Sequence, residues 1–319
     1  MPAMLADDGP GRSPPESAAP RDLAHRQSPV LQRCGRTDAT ASRRVIIGGM
    51  DRLRDRVILI TGSTGIAAAA AERCLAEGAS VFVTSRTADH ARGLAERLGA
   101  AWAQAELADE TAVGAAVAAV VERFGRVDGL FSVAGGSGRR FGDGPIHTLT
   151  GDAWEATAAL NLRTQVLVCA AVVRQMLAQS PNSSGTRGSI VLMGSVTTSD
   201  PAPELFATHA YAAAKGALTA LMTTMAATYA PDRIRVNILA PSLTRTPMAQ
   251  RAAGDATILA YARRKQPLAG EMLDPDEVAQ AAVYFLSDES RAVTGQMLKV
   301  DGGWSVTSVS PEAAPEPKQ

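Results

Sequence analysis

The sequence predicts an α/β fold: one doubly wound parallel sheet of about seven strands with helices on both faces. Three observations point to it. Short β-branched runs alternate with longer alanine-rich stretches between about residues 53 and 306. Several of the short runs are almost continuously apolar, as parallel strands covered on both faces must be. The first of them passes straight into a glycine turn and then an alanine helix, the opening of a βαβ unit.

Taken in order, residues 1–52 are rich in Pro, Gly, Ser, Arg and Ala without periodicity, which predicts a disordered N-terminal extension. Met50 stands just before Asp51-Arg52-Leu53, where the pattern begins, so translation of the natural protein is expected to start there. Strands are expected at Arg56–Thr61, Ser80–Thr84, Ala101–Ala105, Gly129–Ala134, Ser189–Met193, Arg233–Leu239 and Gln296–Val300. Helices are expected near 64–77, 88–98, 110–124, 151–178, 209–229, 254–265 and 275–287. Residues 53–306 thus form a single Rossmann-type domain, and 307–319 a flexible tail. The connection from Ser242 to about Met272 is long, which suggests a mobile lid.

Composition narrows the functional classes. The 319-residue chain is 46% hydrophobic with zero formal charge and interspersed acids and bases, so neither nucleic acid nor an anionic membrane is expected as a partner. Unbroken apolar runs such as Val166 to Val173 fall far short of the roughly 20 residues a membrane span needs. Cys34, Cys74 and Cys169 are odd in number and widely spaced, without a metal-ligand pattern, and read as reduced thiols of a cytoplasmic protein.

Candidate functional residues fall into two groups. Thr61-Gly62-Ser63-Thr64-Gly65-Ile66 joins the first strand to its helix, where bare backbone and a positive helix end suit a pyrophosphate. About 20 residues further on, the second strand ends in Ser85-Arg86, with no acid at its tip to hold a ribose hydroxyl. Serine and a forked arginine suit a 2′-phosphate, so NADP(H) is favoured over NAD(H). The second group centres on Tyr211 and Lys215. Only four lysines occur, none among the first 214 residues, and Lys215 lies four positions after a tyrosine. At that spacing the two share a helix face, roughly 5–6 Å apart at Cβ. A fixed ammonium would lower the phenol from its ordinary ~10 towards a value useful for proton transfer. Ser195 ends the fifth strand, and Asn161 sits mid-helix, where asparagine is a poor helix former.

Asn161, Ser195 and Tyr211-Ala-Ala-Ala-Lys215, in that order, resemble the short-chain dehydrogenase/reductase family, in particular its 3-oxoacyl-carrier-protein reductases. The likeness extends through Phe124-Gly-Arg-Val-Asp128, Ile234-Arg-Val-Asn237 and Val300-Asp-Gly-Gly303. It implies an NAD(P)-dependent enzyme interconverting a ketone and a secondary alcohol, with Tyr211 as general acid and base. It implies that Lys215 binds the nicotinamide ribose, Ser195 the substrate oxygen, and Asn161 a water leading from Lys215 to solvent. Further cofactor contacts are implied for Glu106, Leu107, Ala134, Gly135, Pro241, Leu243 and Thr246, together with a homodimer or homotetramer through helices near 110–124 and 151–178. The chain departs from the family at the shortened glycine turn, at Ala67 in place of its last glycine, at Ser132-Val133-Ala134-Gly135 and at Pro241-Ser242. All these departures lie on the cofactor side. An NAD-linked polyol, sugar or steroid-like alcohol dehydrogenase, or a nucleotide-sensing binding protein without turnover, stay open as alternatives. Arg139 and Arg140 suit an anionic substrate, and Arg263-Arg264-Lys265 reads as a solvated helix face.

Overall fold

The computed structural model describes residues 51–308. Apart from the few at its two ends, the extension 1–52 and the tail 307–319 lie outside the described residues, as do the expected start at Met50 and the thiol of Cys34. Arg52 pairs with Glu77 at 2.5 Å, and the carbonyl of Thr307 accepts a 2.8 Å hydrogen bond from Lys265.

The elements follow as β1 (Val57–Thr61), α1 (Ile66–Ala76), β2 (Ser80–Ser85), α2 (Ala88–Leu98), β3 (Ala101–Gln104), α3 (Glu110–Phe124), β4 (Gly129–Ser132), α4 (Gly151–Ala158) and α5 (Thr164–Ala178). The second half holds β5 (Gly188–Met193), α6 (Pro203–Phe206), α7 (His209–Tyr229), β6 (Ile234–Pro241), α8 (Gln250–Ala253), α9 (Ala256–Lys265), α10 (Pro275–Leu286) and β7 (Met297–Val300). All seven strands are parallel, in the order β3-β2-β1-β4-β5-β6-β7. The order reverses between β1 and β4, which leaves a crevice at their carboxyl ends where open α/β sheets bind ligands.

Strand periodicity divides the core. In β1, Val57 and Leu59 face a cluster built with α3, α5 and α7, while Ile58 and Ile60 face one built with α1, α2 and α10. Both faces being apolar is why the strand has no polar alternation. Three of the matched motifs prove to be fastenings. Asp128, 4% exposed, accepts the Val57 amide at 3.0 Å and two hydrogen bonds from Arg126. Arg235 reaches the carbonyls of Phe285 and Ser287 at the end of α10, and burial lowers its pKa to about 10. Asp301 accepts the amides of Gly303 and Ser305 at 2.9 Å each, folding the chain after β7 so that Trp304 turns inward.

Two expectations about elements change. The helix expected over 151–178 is α4 and α5 joined by a π-helical turn, Ala159–Arg163, with Asn161 at its centre. This whole run is long and apolar enough to cross a membrane by composition, yet half of its most apolar window is buried in the fold, where α5 packs beside α3. The connection expected as a lid holds α8 and α9 and is tied down by a bridge between Thr244 and Leu273. Within it, Lys265 is no solvated residue: it is 8% exposed, lies 3.3 Å from the Asp200 carboxylate and stacks near Trp304. Arg263 pairs with Glu271.

Asp128→Ala leaves the Val57 amide without its acceptor and the Arg126 guanidinium without its carboxylate, and is expected to cost about 1–3 kcal/mol of stability. Urea unfolding checks this as a lower midpoint at unchanged slope.

Candidate active site

The crevice is a cavity of about 340 Å³ with Gly62 to Ile66 at one end and Ser195, Tyr211 and Lys215 at the other. Its position follows from the sheet, but its residues are held by local devices. The Asp143 carboxylate, in the β4–α4 connection, accepts the amides of Ala210 and Tyr211 at 3.0 and 2.9 Å. An acid on the first free amides of a helix satisfies donors that have no intrahelical partner. Asp143 thereby fixes the start of α7 and the position of Tyr211.

Lys215 lies one turn on, 2% exposed, its Nζ donating to the Met193 carbonyl at 2.8 Å and 5.6 Å from the centre of the Tyr211 ring. Met193 ends β5, and its peptide is gripped by the buried Gln165. Oε1 of Gln165 accepts the Met193 amide at 3.1 Å; Nε2 donates to the Met193 carbonyl and to the Asn161 carbonyl, each at 3.2 Å. That Asn161 carbonyl lies in the π-helical turn. The Asn161 carboxamide is equally committed: Oδ1 accepts the Gly136 amide at 3.0 Å, and Nδ2 donates to the carbonyls of Gly136 and Thr157.

Two hydroxyls meet at the cavity floor. Ser195, 7% exposed, lines the cavity with Tyr211, and its Oγ is 2.9 Å from Thr197 Oγ1. Burial pushes the phenol above its ordinary pKa, and the Ser195 hydroxyl pulls it back. Burial also lowers the Lys215 ammonium from 10.5 to about 7. The site thus offers a phenol and a serine hydroxyl on one cavity wall, beside a buried amine.

Comparison with known proteins agrees with this geometry. Residues 60–305 match the family model described as enoyl-(acyl carrier protein) reductase. The chain is 37% identical over 271 residues to the A-factor type gamma-butyrolactone 1'-reductase (1S-forming) of Streptomyces virginiae, covering 80% of this chain and 97% of that protein. It is 33% identical over 264 residues to short-chain dehydrogenase reductase 5 of Arabidopsis thaliana, covering 81% and 98%. The solved 3-ketoacyl-(acyl-carrier-protein) reductase from Brucella melitensis, complexed with NADH, has a TM-score of 0.71 at 26% identity, covering 80% of this chain and 100% of that one. The chain belongs to the short-chain dehydrogenase/reductase family. As a member it is an NAD(P)-dependent oxidoreductase that binds a nicotinamide dinucleotide.

The residues of this short-chain dehydrogenase/reductase fit such a group. Gly62 and Gly65 both have positive φ, +99° and +54°, and a Cβ on Gly65 would come within 2.8 Å of Thr246 Cγ2. No side chain caps α1, and although the Ala67 amide already bonds the Thr64 carbonyl at 3.2 Å, a helix N-terminus of this kind suits a phosphate. Ala67, where the family has glycine, sits with its methyl 3.2 Å from where a Cβ on Gly62 would lie, so the shortened turn still closes.

Of the expected cofactor residues, Gly62, Ser63, Thr64, Gly65, Ile66, Ala134, Gly135, Pro241, Leu243 and Thr246 line the cavity with Tyr211 and Lys215. Thr61 does not: it is fully buried, and Oγ1 accepts the amides of Val133 and Ala134. Leu107 is a core residue against α3. Glu106 is exposed, with Oε1 on the Ala108 amide, and Ser85 and Arg86 stand at the end of β2 outside the cavity wall. Ser242, where the family has glycine, hydrogen-bonds the buried Gln266 at 2.7 Å.

One reading is corrected here: the Tyr211 phenol is raised rather than lowered, because burial is the largest influence on it, with the Lys215 ammonium over the ring. Both donors of the Asn161 carboxamide go to carbonyls. Arg140 stands over the Phe141 ring, 4.5 Å from its centre, whereas Arg139 lines the rim. Sequence reasoning missed Asp143, Gln165, Arg251 and Trp304. Only Gln165, a polar residue inside an apolar helix run, carried a signal.

The lowered Lys215 value sets a pH dependence. Between about 7 and 10.5 the unfolded chain binds more protons at this residue than the native one. Its contribution to native stability therefore rises with pH through that window and is lost as pH falls towards 7. Lys215→Met removes this slope, so wild type should gain stability relative to the variant between pH 7 and pH 9 in denaturant titrations.

Proposed function

We propose that the protein is an NADP(H)-preferring carbonyl reductase or secondary-alcohol dehydrogenase. The observation that carries the reading is that Tyr211, Ser195 and the buried Lys215 line one cavity together with the glycine turn after β1. The bound nicotinamide supplies the hydride acceptor or donor.

In the reductive direction the Ser195 hydroxyl donates to the substrate oxygen as negative charge grows there, a fixed donor of the kind that stabilises transition states. Tyr211 gives its proton to the same oxygen, and in oxidation takes it back. Lys215, holding Met193 through one N–H, has two donors left for the ribose hydroxyls. Asn161 acts through the loop it clamps, setting Gly135 and Gly136 against the nicotinamide end of the cavity. A deprotonated tyrosine is favoured once the site holds positive charge, so the raised phenol value belongs to the chain by itself.

The preference for NADP(H) rests on Ser85 and the exposed Arg86 at the tip of β2, with no acid there. The free, deeply buried thiols of Cys74 and Cys169 fit a reducing cytoplasm. A homodimer or homotetramer through α3 and the α4–α5 run is the expected assembly; Trp154 and Leu177 there are 41% and 40% exposed.

Fluorescence titration is expected to give tighter binding of NADPH than NADH, with Arg86→Ala removing the difference. Tyr211→Phe should lower ketone turnover by about 10²–10⁴-fold, while the dissociation constant for the cofactor changes less than about threefold. Retained turnover in Tyr211→Phe would sink the assignment.

A further inference from the structure

Two connections, one leaving β4 and one leaving β6, bring an arginine each to a single point on the cavity rim. Arg139 lies in the turn Gly138–Phe141 and Arg251 in α8, and both line the cavity. The Nη2 atoms of both donate to one acceptor, the carbonyl of Leu205, at 3.2 Å each. Leu205 and Phe206 belong to α6, just ahead of the helix that carries Tyr211.

Two guanidiniums sharing one neutral oxygen repel each other, and Arg251 together with burial lowers the pKa of Arg139. Among the described residues neither arginine has a carboxylate within ion-pair distance. Asp143 is the acid that Arg139 feels. Its two oxygens each accept an amide, of Ala210 and Tyr211, and among the described residues no ion pair joins it to Arg139. A guanidinium has five N–H donors, and the Leu205 carbonyl takes one from each. The remaining forks match the geometry of a carboxylate, sulfonate or phosphate. Between rim and floor the wall is apolar, with Phe206, Met248 and Trp304.

Resting on the carbonyl–alcohol reading of the floor, we propose that the substrate is an oxo or hydroxy compound whose anionic oxygen group is held between Arg139 and Arg251. An apolar stretch of the substrate lies along Phe206 and Trp304 and presents the reacting carbon to Tyr211. The dinucleotide phosphates belong to the glycine turn and the uncapped start of α1, so the arginine pair is not needed for them.

The test compares acetoacetate, 2-oxopropylphosphonate and acetoacetyl-coenzyme A with the neutral methyl acetoacetate, in wild type, Arg139→Gln and Arg251→Gln. The first three separate a carboxylate, a compact phosphonate and a remote phosphate as the anion. At least one anionic substrate should exceed the neutral ester in kcat/KM, and each substitution should cut that ratio about tenfold or more. A ratio near one in wild type, or one that neither variant moves, overturns the proposal while leaving the reductase reading intact. Where no ketone is turned over, the function reading fails instead. The anion site is then judged by equilibrium binding of acetoacetate to the NADP⁺ complex, expected to weaken about tenfold in the variants and refuted by no binding or unchanged binding. Should a glutamine variant fail to fold, Arg251→Lys keeps the charge without the fork and is expected at an intermediate ratio; a wild-type ratio there and in Arg139→Lys counts against the proposal.

Discussion

The site depends on a buried cation with no carboxylate beside it. Lys215 is 2% exposed, and its one hydrogen bond among the described residues goes to the neutral carbonyl of Met193. Removing an ammonium from water is costly unless something repays it, and the fall of its pKa to about 7 is the visible sign of that cost. Three features that are unfavourable singly are combined to hold it. An asparagine sits in mid-helix, a glutamine is buried, and a helix is broken by a π turn. Gln165 bonds the Asn161 carbonyl within the π turn and grips the Met193 peptide, and Met193 presents its oxygen to Lys215. Each polar group satisfies the next, which is the condition under which a buried network is stable.

This dependence explains which parts were legible in the sequence. Strands were readable because a parallel sheet covered on both faces demands continuous apolar runs, and Val57-Ile58-Leu59-Ile60 is such a run. Tyr211 and Lys215 stood out by the rarity of lysine and their spacing, while Ser195 and Asn161 gained weight only as part of a set resembling the family. The π turn was not, since one extra residue in a helix leaves no periodic trace; the chain reads as a single helix over 151–178. Asp143 was not, because its partners are backbone amides 67 and 68 positions away. The direction of the Tyr211 shift was misread for a related reason. Spacing gives proximity to Lys215, but the sign depends on burial and on where the charge lies relative to the ring, which only tertiary packing sets.

The departures at the cofactor end are local exchanges. An alanine at position 67 is tolerated because Gly62 opposite it has no side chain, the two sharing the space of one methyl. Serine at 242 replaces a backbone freedom with a hydrogen bond to Gln266, whose own donors hold the Leu243 and Glu271 carbonyls and so anchor the start of the 242–272 connection. Thr246 then lies against Gly65, and the same connection that covers the glycine turn carries Arg251 to the rim.

The two ends of the cavity are therefore built by different rules. Ser195, Tyr211 and Lys215 stand on a strand end and a buried helix, where a shift of any one would break contacts with the core. Arg139, Phe206 and Arg251 stand on a turn and two four-residue helices, each arginine bonded once to the Leu205 carbonyl and Phe206 resting against Trp304. Such connections tolerate substitution far better than core helices do. Reaction chemistry is in consequence written in residues that pattern and spacing reveal, while substrate choice is written in residues that gain meaning only when three distant segments converge. The sequence discloses a hydride-transfer enzyme and conceals its substrate for one and the same reason: the rim arginines are neighbours in space and 112 positions apart along the chain.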